Sequence, residues 1–294
     1  MDHRALSSHR AGDRLASNTP VGARPKHPHP PVAPRRKAPA PMYPTLLTVL
    51  GLPISSYGVS KALAAVAAAL MLRHEFRRLG WDPEVAVTMV TMTTVAGFIG
   101  AKAYYLAEHA NQLTKHDLGS AGFTWYGGLI TGAATFLILG HRYDLPLISL
   151  GAAATAPLSV AYGIGRLGCL LAGDGTYGRP SNLPWAIAFP DGSVPTTVPV
   201  HPTPAYEAII AFALAGLLWA VRRRWTPQQR VATYLIGSGV ARALIEVVRI
   251  NDKVLLGLTQ PQIWSIVLII MGMAVIGVRS DSQRNGPRRL AAQG

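Results

Sequence analysis

The sequence predicts an all-α integral membrane protein with about seven transmembrane helices. Hydrophobic residues make up 49% of the 294 residues, and charged residues only 14%. The apolar residues fall into blocks of about twenty, the number that a helix needs to cross roughly 30 Å of hydrocarbon. The length alone would permit two soluble domains, but this block pattern favours one membrane domain.

Seven spans are predicted, and the basic residues between them predict their orientation. The spans are 57–72, 84–106, 123–139, 147–170, 204–221, 231–250 and 261–278. The connections that follow the first and fifth spans, and the tail after the seventh, are rich in Lys and Arg, whereas the connections after the even-numbered spans hold one each. The positive-inside rule therefore places the C-terminus in the cytoplasm and the start of the first span outside.

Both ends of the chain are basic. Residues 1–41 are rich in Pro, Arg and His, lack the apolar core of a signal peptide, and are predicted to be disordered. Because this tail would lie outside, against the charge rule, we expect translation to start at Met42; otherwise the tail is a translocated, disordered extension. The membrane domain is then 42–279, and 280–294 is a basic cytoplasmic tail.

Composition also excludes several classes of function. The net charge is +14, but the basic residues lie between apolar blocks, so they are better explained as an orientation signal than as a nucleic-acid surface. The single cysteine, Cys169, excludes an intramolecular disulfide and any multi-cysteine metal site, and we expect it to be a small packed residue. No metal cluster is evident, and no cofactor is predicted.

Charged residues inside the spans point to a binding site. Arg166 lies near the outer end of the fourth span, and Arg242, Glu246 and Arg249 lie in the outer half of the sixth. A charge at membrane depth costs roughly 2.5–3.5 kcal/mol on insertion scales, so it is usually buried with a partner and a function. The spacing i, i+4, i+7 places the three residues of the sixth span on one helix face.

Two lysines add to this positive charge. Lys61 and Lys102 lie near the outer ends of the first and second spans. With them, the outer half of the bundle holds five cations and one carboxylate, so the predicted outer-leaflet cavity lacks an anion. Arginine forks suit phosphate best, and a phospholipid headgroup is the nearest such ligand. Alternatively, the two lysines only extend to the interface.

The long outer segment 171–203, between spans four and five, supplies further polar candidates. Asp174 could offset part of the positive charge, and His201 could be a general base or only a hydrogen-bonding residue. Glu207, in the first turn of the fifth span, would complement the helix dipole. At the start of the third span, Tyr126 follows interfacial aromatics and precedes a glycine pair suited to close packing.

These motifs, in this order, resemble the bacterial prolipoprotein diacylglyceryl transferase family. The resemblance covers residues 42 to about 278. The arginine-glycine stretch and the His-Pro-Thr segment are its most specific parts. The matching stretches are 42–44, 57–58, 100–104, 126–130, 165–178, 201–207 and 242–249.

The resemblance implies a seven-span enzyme of the bacterial inner membrane with its active site on the periplasmic side. Such an enzyme moves the diacylglyceryl group of phosphatidylglycerol to the lipobox cysteine thiol of a prolipoprotein, forming a thioether and releasing glycerol phosphate. The family's essential arginines correspond to Arg166 and Arg242. The other positions expected to contact substrate are Tyr57, Lys102, Gly127, Gly128, Asp174, Glu246 and Arg249.

The sequence departs from the family pattern at four positions. Tyr126 replaces the usual histidine before Gly-Gly, Cys169 an asparagine, and Lys102 an arginine. Asp174 takes the place of a glutamate, with one extra residue in its stretch. Tyrosine is a much weaker base than histidine at neutral pH. The residue that handles the proton is therefore left open between His201, Tyr126 and Asp174.

Two other functions are compatible with the sequence. A divergent paralogue would keep phosphatidylglycerol as donor and use another thiol, an amine or a hydroxyl as acceptor. A non-catalytic phospholipid-binding or transport protein could use the same scaffold. Transporters usually expose a central site to both faces in turn, whereas the charges in these spans lie toward one face.

Overall fold

The structure, a computed structural model, describes residues 42–49, 51–112 and 122–290. Within those residues the chain folds into seven long α-helices, a short 3₁₀ turn at Ala110–Gln112 and three two-stranded hairpins. The helices are α1 (Ser56–Leu79), α2 (Pro83–Glu108), α3 (Trp125–Arg142), α4 (Leu147–Ala172), α5 (Thr203–Val221), α6 (Pro227–Glu246) and α7 (Gln260–Leu290).

Short antiparallel hairpins flank the helices at one end of the bundle. The strands are β1 (Thr45–Val49), β2 (Leu52–Ser55), β3 (Ile187–Phe189), β4 (Thr196–Val200), β5 (Lys253–Leu255) and β6 (Leu258–Thr259). They pair as β1 with β2, β3 with β4, and β5 with β6. The β3–β4 hairpin lies in the segment between α4 and α5, where the sequence predicts only a long connection.

Side-chain caps determine where several helices begin. Ser55 accepts a hydrogen bond from a backbone N–H of α1, and Asp82 does the same for α2. At α6, Thr226 and Gln229 form a reciprocal capping box, with proline at the first helical position. The predicted sixth span therefore begins four residues too late, because its first turn is polar and was assigned to the connection.

Helix α4 is the centre of the bundle. It packs against α1, α5 and α6, and it carries more buried residues than any other described helix. Its run from Ala152 to Ala156 is buried throughout. Small side chains let neighbouring helix backbones approach closely, which is the usual basis of helix association in membranes. The alanine-rich sequence of α4 thus explains its central position.

Helices α2 and α3 pack through glycine. A side chain on Gly127 would overlap the backbone at Gly100 and the Cβ of Tyr104, and one on Gly128 would lie 3.2 Å from the carbonyl oxygen of Gly97. Thr131 completes the contact by donating a hydrogen bond of 3.0 Å to the carbonyl of Ala96. The glycine pair is therefore a helix-packing feature, as its position in the sequence indicates.

Among the described residues, four helices are long and apolar enough to cross a membrane: Pro83–Glu108, Leu147–Ala172, Thr203–Val221 and the Gln260–Gly277 part of α7. Large apolar side chains on the outside, such as Ile99, Ile209 and Leu244, are exposed, as expected for surfaces that face lipid. The protein is thus a mostly helical integral membrane protein. Helices α1 and α6 are less apolar, because each contains several charged residues.

Helix positions agree with the predicted spans, but three C-terminal ends differ by four residues or more. Helix α1 extends to Leu79 rather than 72, and α7 to Leu290 rather than 278. Helix α6 ends at Glu246 rather than 250, because the next backbone N–H groups bond three residues back instead of four. The predicted tail 1–41 lies outside the described residues, and the predicted tail 280–294 begins within α7.

The α2–α3 contact yields a test of packing. We expect Gly127→Ala to lower the free energy of unfolding by about 1–3 kcal/mol, the usual cost of overpacking. Gly216→Ala, in α5, is the matched control, because a side chain there meets nothing within 4 Å. Thermal unfolding of the detergent-solubilised variants measures both effects. Equal stability of the two variants would contradict the packing role of Gly127.

Candidate active site

One buried carboxylate contacts three arginines at the end of the bundle where α5 begins. The side chain of Glu207, in the second turn of α5, is only 3% exposed. Its Oε2 atom lies 3.1 Å from Arg166 Nε, and its Oε1 atom accepts a 3.0 Å hydrogen bond from Arg242 Nη1. Arg166 comes from α4 and Arg242 from α6, so Glu207 joins three helices.

Tyr162 fixes the orientation of Arg166. It lies one turn earlier on α4, and its hydroxyl accepts a 3.1 Å hydrogen bond from Arg166 Nε. The same hydroxyl donates a 2.9 Å hydrogen bond to Glu207 Oε1. The guanidinium also stacks on the tyrosine ring, 5.0 Å from its centroid. Sequence analysis missed Tyr162, although its spacing of four residues from Arg166 places both on one helix face.

Arg242 has a second carboxylate partner. Its Nη2 atom lies 2.9 Å from Oε2 of Glu246, one turn further along α6. Glu246 is fully buried, and its Oε1 atom accepts a 2.6 Å hydrogen bond from Asn251 Nδ2. The i, i+4 pair predicted from the sequence is therefore present, and Arg242 bridges two buried carboxylates.

Arg249 reaches the same site from outside the helix. The expectation that it shares a helix face with Arg242 and Glu246 is wrong, because α6 has already ended. Instead, its backbone forms a bridge with Gly178, and its Nη1 atom lies 3.6 Å from Glu207 Oε2. Its Nε and Nη1 atoms are buried and have no hydrogen-bond partner in the described part of the chain.

The charges of this cluster do not balance. Three guanidinium groups face two carboxylates, those of Glu207 and Glu246. The sequence-based count of one carboxylate omitted Glu207, for which complementing the helix dipole was one of the roles left open. A net positive charge with unpaired buried N–H donors can hold an anion, because charge-assisted hydrogen bonds to guanidinium forks are strong and directional.

Arg166, Glu207 and Arg242 line one wall of a cavity of about 410 Å³ between α3, α4, α5, α6 and α7, whereas Glu246 and Arg249 are not among its lining residues. Tyr126 contributes from α3, so this predicted residue lies on the same cavity as Arg166 and Arg242. Most of the surface is apolar or aromatic. The aromatic and aliphatic lining residues include Tyr126, Tyr162, Ile210, Leu214, Trp264 and Leu268. A polar end beside an apolar body suits an amphipathic ligand.

Other predicted site residues lie apart from this lining. His201 bonds through its backbone with Gly178 and Arg179, and its Nδ1 atom lies 3.3 Å from the Tyr206 hydroxyl. The ammonium group of Lys102 lies over the ring of Phe123, 5.1 Å from its centroid. None of these side chains is among the residues that line the cavity.

Two more residues considered in the sequence analysis are Lys61 on α1 and Cys169 on α4. The ammonium group of Lys61 lies over the ring of Tyr57, 4.8 Å from its centroid, and beside Gly165. Cys169 is buried, with its sulfur 4.0 Å from Arg166 Nη1. Tyr57 and Cys169 are also absent from the cavity lining, while Gly127 and Gly128 pack on α2.

Asp174 organises the loop that follows α4. Its carboxylate accepts hydrogen bonds from the backbone N–H of Thr176, at 3.1 Å, and from the Thr176 hydroxyl, at 2.6 Å. Burial and then the charge of Asp174 raise the pKa of Tyr177. That residue therefore stays protonated and donates a 2.9 Å hydrogen bond to the carbonyl of Val194. In this structure Asp174 shapes the loop.

Bilayer-length apolar helices around a cationic, partly apolar cavity define an integral membrane protein whose site is suited to an anionic amphiphile. A sequence model of the family described as prolipoprotein diacylglyceryl transferase matches residues 44–278. The chain belongs to this family and is a transferase.

Curated relatives carry the same name. The phosphatidylglycerol--prolipoprotein diacylglyceryl transferase of Clostridium tetani is 29% identical over 81% of this chain and 98% of its own. The protein of that name from Rhodospirillum rubrum is 34% identical over 63% of this chain and 71% of its own. The one from Pseudomonas fluorescens is 26% identical over 85% and 97%. The likeness therefore extends over nearly the whole of two of these relatives.

The position of Glu207 predicts a large effect of neutralising it. Glu207→Gln keeps the shape but removes the charge that faces three arginines, so we expect about 3–5 kcal/mol of destabilisation, the usual cost of breaking a buried ionic network. Glu84→Gln removes one partner of the exposed pair with Arg73 and should cost at most about 1 kcal/mol. Thermal unfolding compares the two. A small effect at both positions would show that Glu207 is not the centre of the cluster.

Proposed function

We propose that this chain transfers the diacylglyceryl group of phosphatidylglycerol to the lipobox cysteine thiol of prolipoproteins. The names of its relatives support this activity. The observation that carries the proposal is the convergence of Arg166, Arg242 and Arg249 on one carboxylate at the wall of a largely apolar cavity. A glycerophospholipid combines the two properties that this site matches, an anionic phosphate and hydrocarbon chains.

The arginines would hold the phosphodiester of the donor. Arg166 and Arg242 are fixed by Tyr162 and Glu246, respectively, so they need little rearrangement on binding. Arg249 offers buried N–H donors that no described residue satisfies. Acyl chains would extend along the apolar lining toward Leu214, about two turns along α5 from Glu207, and toward Leu268 of α7.

The reaction is a displacement at the glyceryl carbon that carries the phosphate ester. The thiolate sulfur of the acceptor forms a C–S bond as the C–O bond breaks, and the electron pair of that bond leaves on glycerol phosphate. The thiol proton passes to a base. The departing phosphate gains negative charge, and fixed guanidinium groups stabilise that charge where it develops. No step in this scheme calls for a metal ion.

The arginine cluster also helps to generate the nucleophile. A free cysteine thiol has a pKa of about 8.5, and neighbouring positive charge lowers it toward neutrality. Tyr126 lies on the cavity, whereas His201 does not contribute to its lining. We therefore assign Tyr126 to hydrogen bonding of the acceptor sulfur and its proton, with the field of the arginines compensating for the weak base.

The proposed placement in the membrane follows from the charge pattern of the connections. All seven helices would cross the bilayer as one domain, residues 42–279. The tail 280–294 would lie in the cytoplasm, as the positive-inside rule predicts. The cavity would then open in the periplasmic leaflet of the bacterial inner membrane, and the segment between α4 and α5 would be periplasmic. The signal peptide of the acceptor would enter laterally between helices.

One observation favours a second candidate, a paralogue that uses another acceptor. Tyr126 and Cys169 stand where the family pattern has a histidine and an asparagine, while Arg166 and Arg242 match its essential arginines. Such a protein would retain the donor and transfer the same group to another thiol, an amine or a hydroxyl. Mass spectrometry of products from labelled phosphatidylglycerol distinguishes the two acceptors.

Complementation tests the main proposal. We expect the wild-type chain to restore growth and prolipoprotein modification in a bacterium depleted of its own diacylglyceryl transferase. Arg166→Ala should fail, with turnover in a reconstituted assay lower by about 10²-fold or more, because the leaving phosphate loses a fixed cation. Cys169→Ala should remain active, since the reaction does not use that thiol. An active Arg166→Ala variant, or no thioether from the wild type, would contradict the proposal.

Tyr126 provides a separate prediction about the proton. We expect Tyr126→Phe to reduce turnover by roughly 10²-fold, at the lower end of general acid–base contributions, with a smaller deficit at high pH where the thiol ionises without help. Tyr126→His, which supplies a stronger base, should restore turnover at neutral pH. The measurement is a pH–rate profile with phosphatidylglycerol and a lipobox peptide. A Phe variant with an unchanged profile would remove Tyr126 from the mechanism.

A further inference from the structure

A second buried ionic cluster lies away from the candidate active site. It joins the C-terminal ends of α1 and α5 to the N-terminal end of α6. Its centre is Glu75, near the end of α1, which is fully buried. Arg78 donates to both oxygens of Glu75, at 3.1 and 2.9 Å. Arg222, at the end of α5, and Arg230, in the first turns of α6, each approach the same carboxylate to 3.2 Å.

This cluster is separate from the candidate active site. Glu207 and Arg222 are at opposite ends of α5, and fifteen residues of helix between them correspond to about 22 Å. Arg230 and Arg242 are likewise separated by twelve residues of α6, or about 18 Å. The two clusters therefore lie toward opposite ends of the bundle, and a ligand the size of a headgroup cannot reach both.

The second cluster has a larger excess of positive charge than the first. Three guanidinium groups share the one carboxylate of Glu75. Its two oxygens already receive two nitrogen contacts each, which is the capacity of a carboxylate. Arg230 is only 4% exposed, yet its Nε atom has no hydrogen-bond partner in the described part of the chain. Buried like charges repel strongly, so this arrangement lacks an anion.

The cluster is partly accessible from outside the bundle. The side chains of Arg78 and Arg222 are 20% and 16% exposed, whereas Glu75 is fully buried. Arg222 is held in place by stacking on Trp219, at 4.1 Å from the ring, and by a 2.6 Å hydrogen bond to its carbonyl. A tryptophan at the end of a membrane helix is typical of the headgroup level.

We propose that Arg78, Arg222 and Arg230 bind a phosphate group, supplied by an anionic phospholipid headgroup in the leaflet opposite the candidate active site. Guanidinium forks recognise phosphate oxygens through paired, charge-assisted hydrogen bonds. Free phosphate has the same chemistry, but the location at helix ends beside Trp219 favours a lipid. This site requires no transfer chemistry and does not depend on the proposed reaction.

Binding measured at this site alone tests the proposal. The probe is dioctanoyl phosphatidylglycerol, titrated into full-length protein carrying Arg166→Ala, which weakens phosphate binding at the other site. We expect one bound lipid by native mass spectrometry and a rise in unfolding temperature with lipid concentration, since a ligand that binds only the folded state stabilises it. Adding Arg222→Gln should weaken binding about tenfold or more, the size expected for losing a pair of charge-assisted hydrogen bonds.

The matched control is Arg224→Gln, which removes the same charge from an exposed residue two positions away. It should leave the affinity unchanged. If Arg222→Gln does not fold, Arg222→Lys keeps the charge facing Glu75 but loses the fork, and the same loss of affinity is expected. Dioctanoyl phosphatidylcholine should bind more weakly than phosphatidylglycerol, because it lacks net negative charge.

Inorganic phosphate separates the two sources of the ligand. Protection by phosphate equal to that by the lipid would identify a free-anion site on the same three arginines. Protection by the lipid alone would identify a headgroup site. Equal affinities of the Arg222 and Arg224 variants, or no binding of either probe, would overturn the proposal and leave the cluster as a structural ion pair. None of these readouts measures transferase activity, so failure here is distinct from failure of the proposed reaction.

Discussion

The half of the bundle that contains the candidate active site depends on the contact of Glu207 with three arginines. Guanidinium groups from α4, α6 and the segment after α6 would repel one another in a medium of low dielectric, where unit charges a few ångströms apart interact by several kcal/mol. The carboxylate at the start of α5 removes much of that repulsion. It thereby fixes α5 against α4 and α6, and it determines where the cavity wall lies.

The bundle uses this construction twice. Glu75 and Glu207 each hold three arginines, and α5 and α6 contribute to both clusters. Between them, α4 packs through alanine and glycine, with little polar contact. Ionic contacts therefore hold the helices together at the ends of the bundle, and close packing of small side chains holds them together in its middle. This division suits a membrane, because ionic groups are least costly near the interfaces and close packing of small residues is effective in the core.

Much of the fold could be predicted from the sequence, because each membrane helix corresponds to a block of apolar residues. The positions of all seven helices were predicted, and Arg166 and Arg242 were placed at matching depths before the structure brought them to one carboxylate. Helix ends were less accurate. The polar capping box of α6 looks like a connection, and the last turns of α1 are charged. Apolar content therefore does not report where these helices begin and end.

The roles of individual charges were harder to predict. Helical spacing relates residues three or four apart, so it found the pair of Arg242 with Glu246. It could not find that Glu207 faces arginines from two other helices. It also could not find that Glu75 meets Arg222 and Arg230, more than a hundred residues away. Such contacts depend on how helices pack, which composition and periodicity do not encode.

Arg249 connects Glu207 to the backbone of the segment between α4 and α5. Its own backbone bridges Gly178, the neighbouring N–H of Arg179 donates a 2.8 Å hydrogen bond to the carbonyl of Val248, and both loop residues bond in turn with His201. Surface loops normally accept insertions and deletions without loss of function. Here, a change of one residue between α6 and this junction would draw a guanidinium away from Glu207. Homologues of this protein should therefore vary in length within the β3–β4 and β5–β6 turns, and hold the spacing from Arg242 to Arg249 constant.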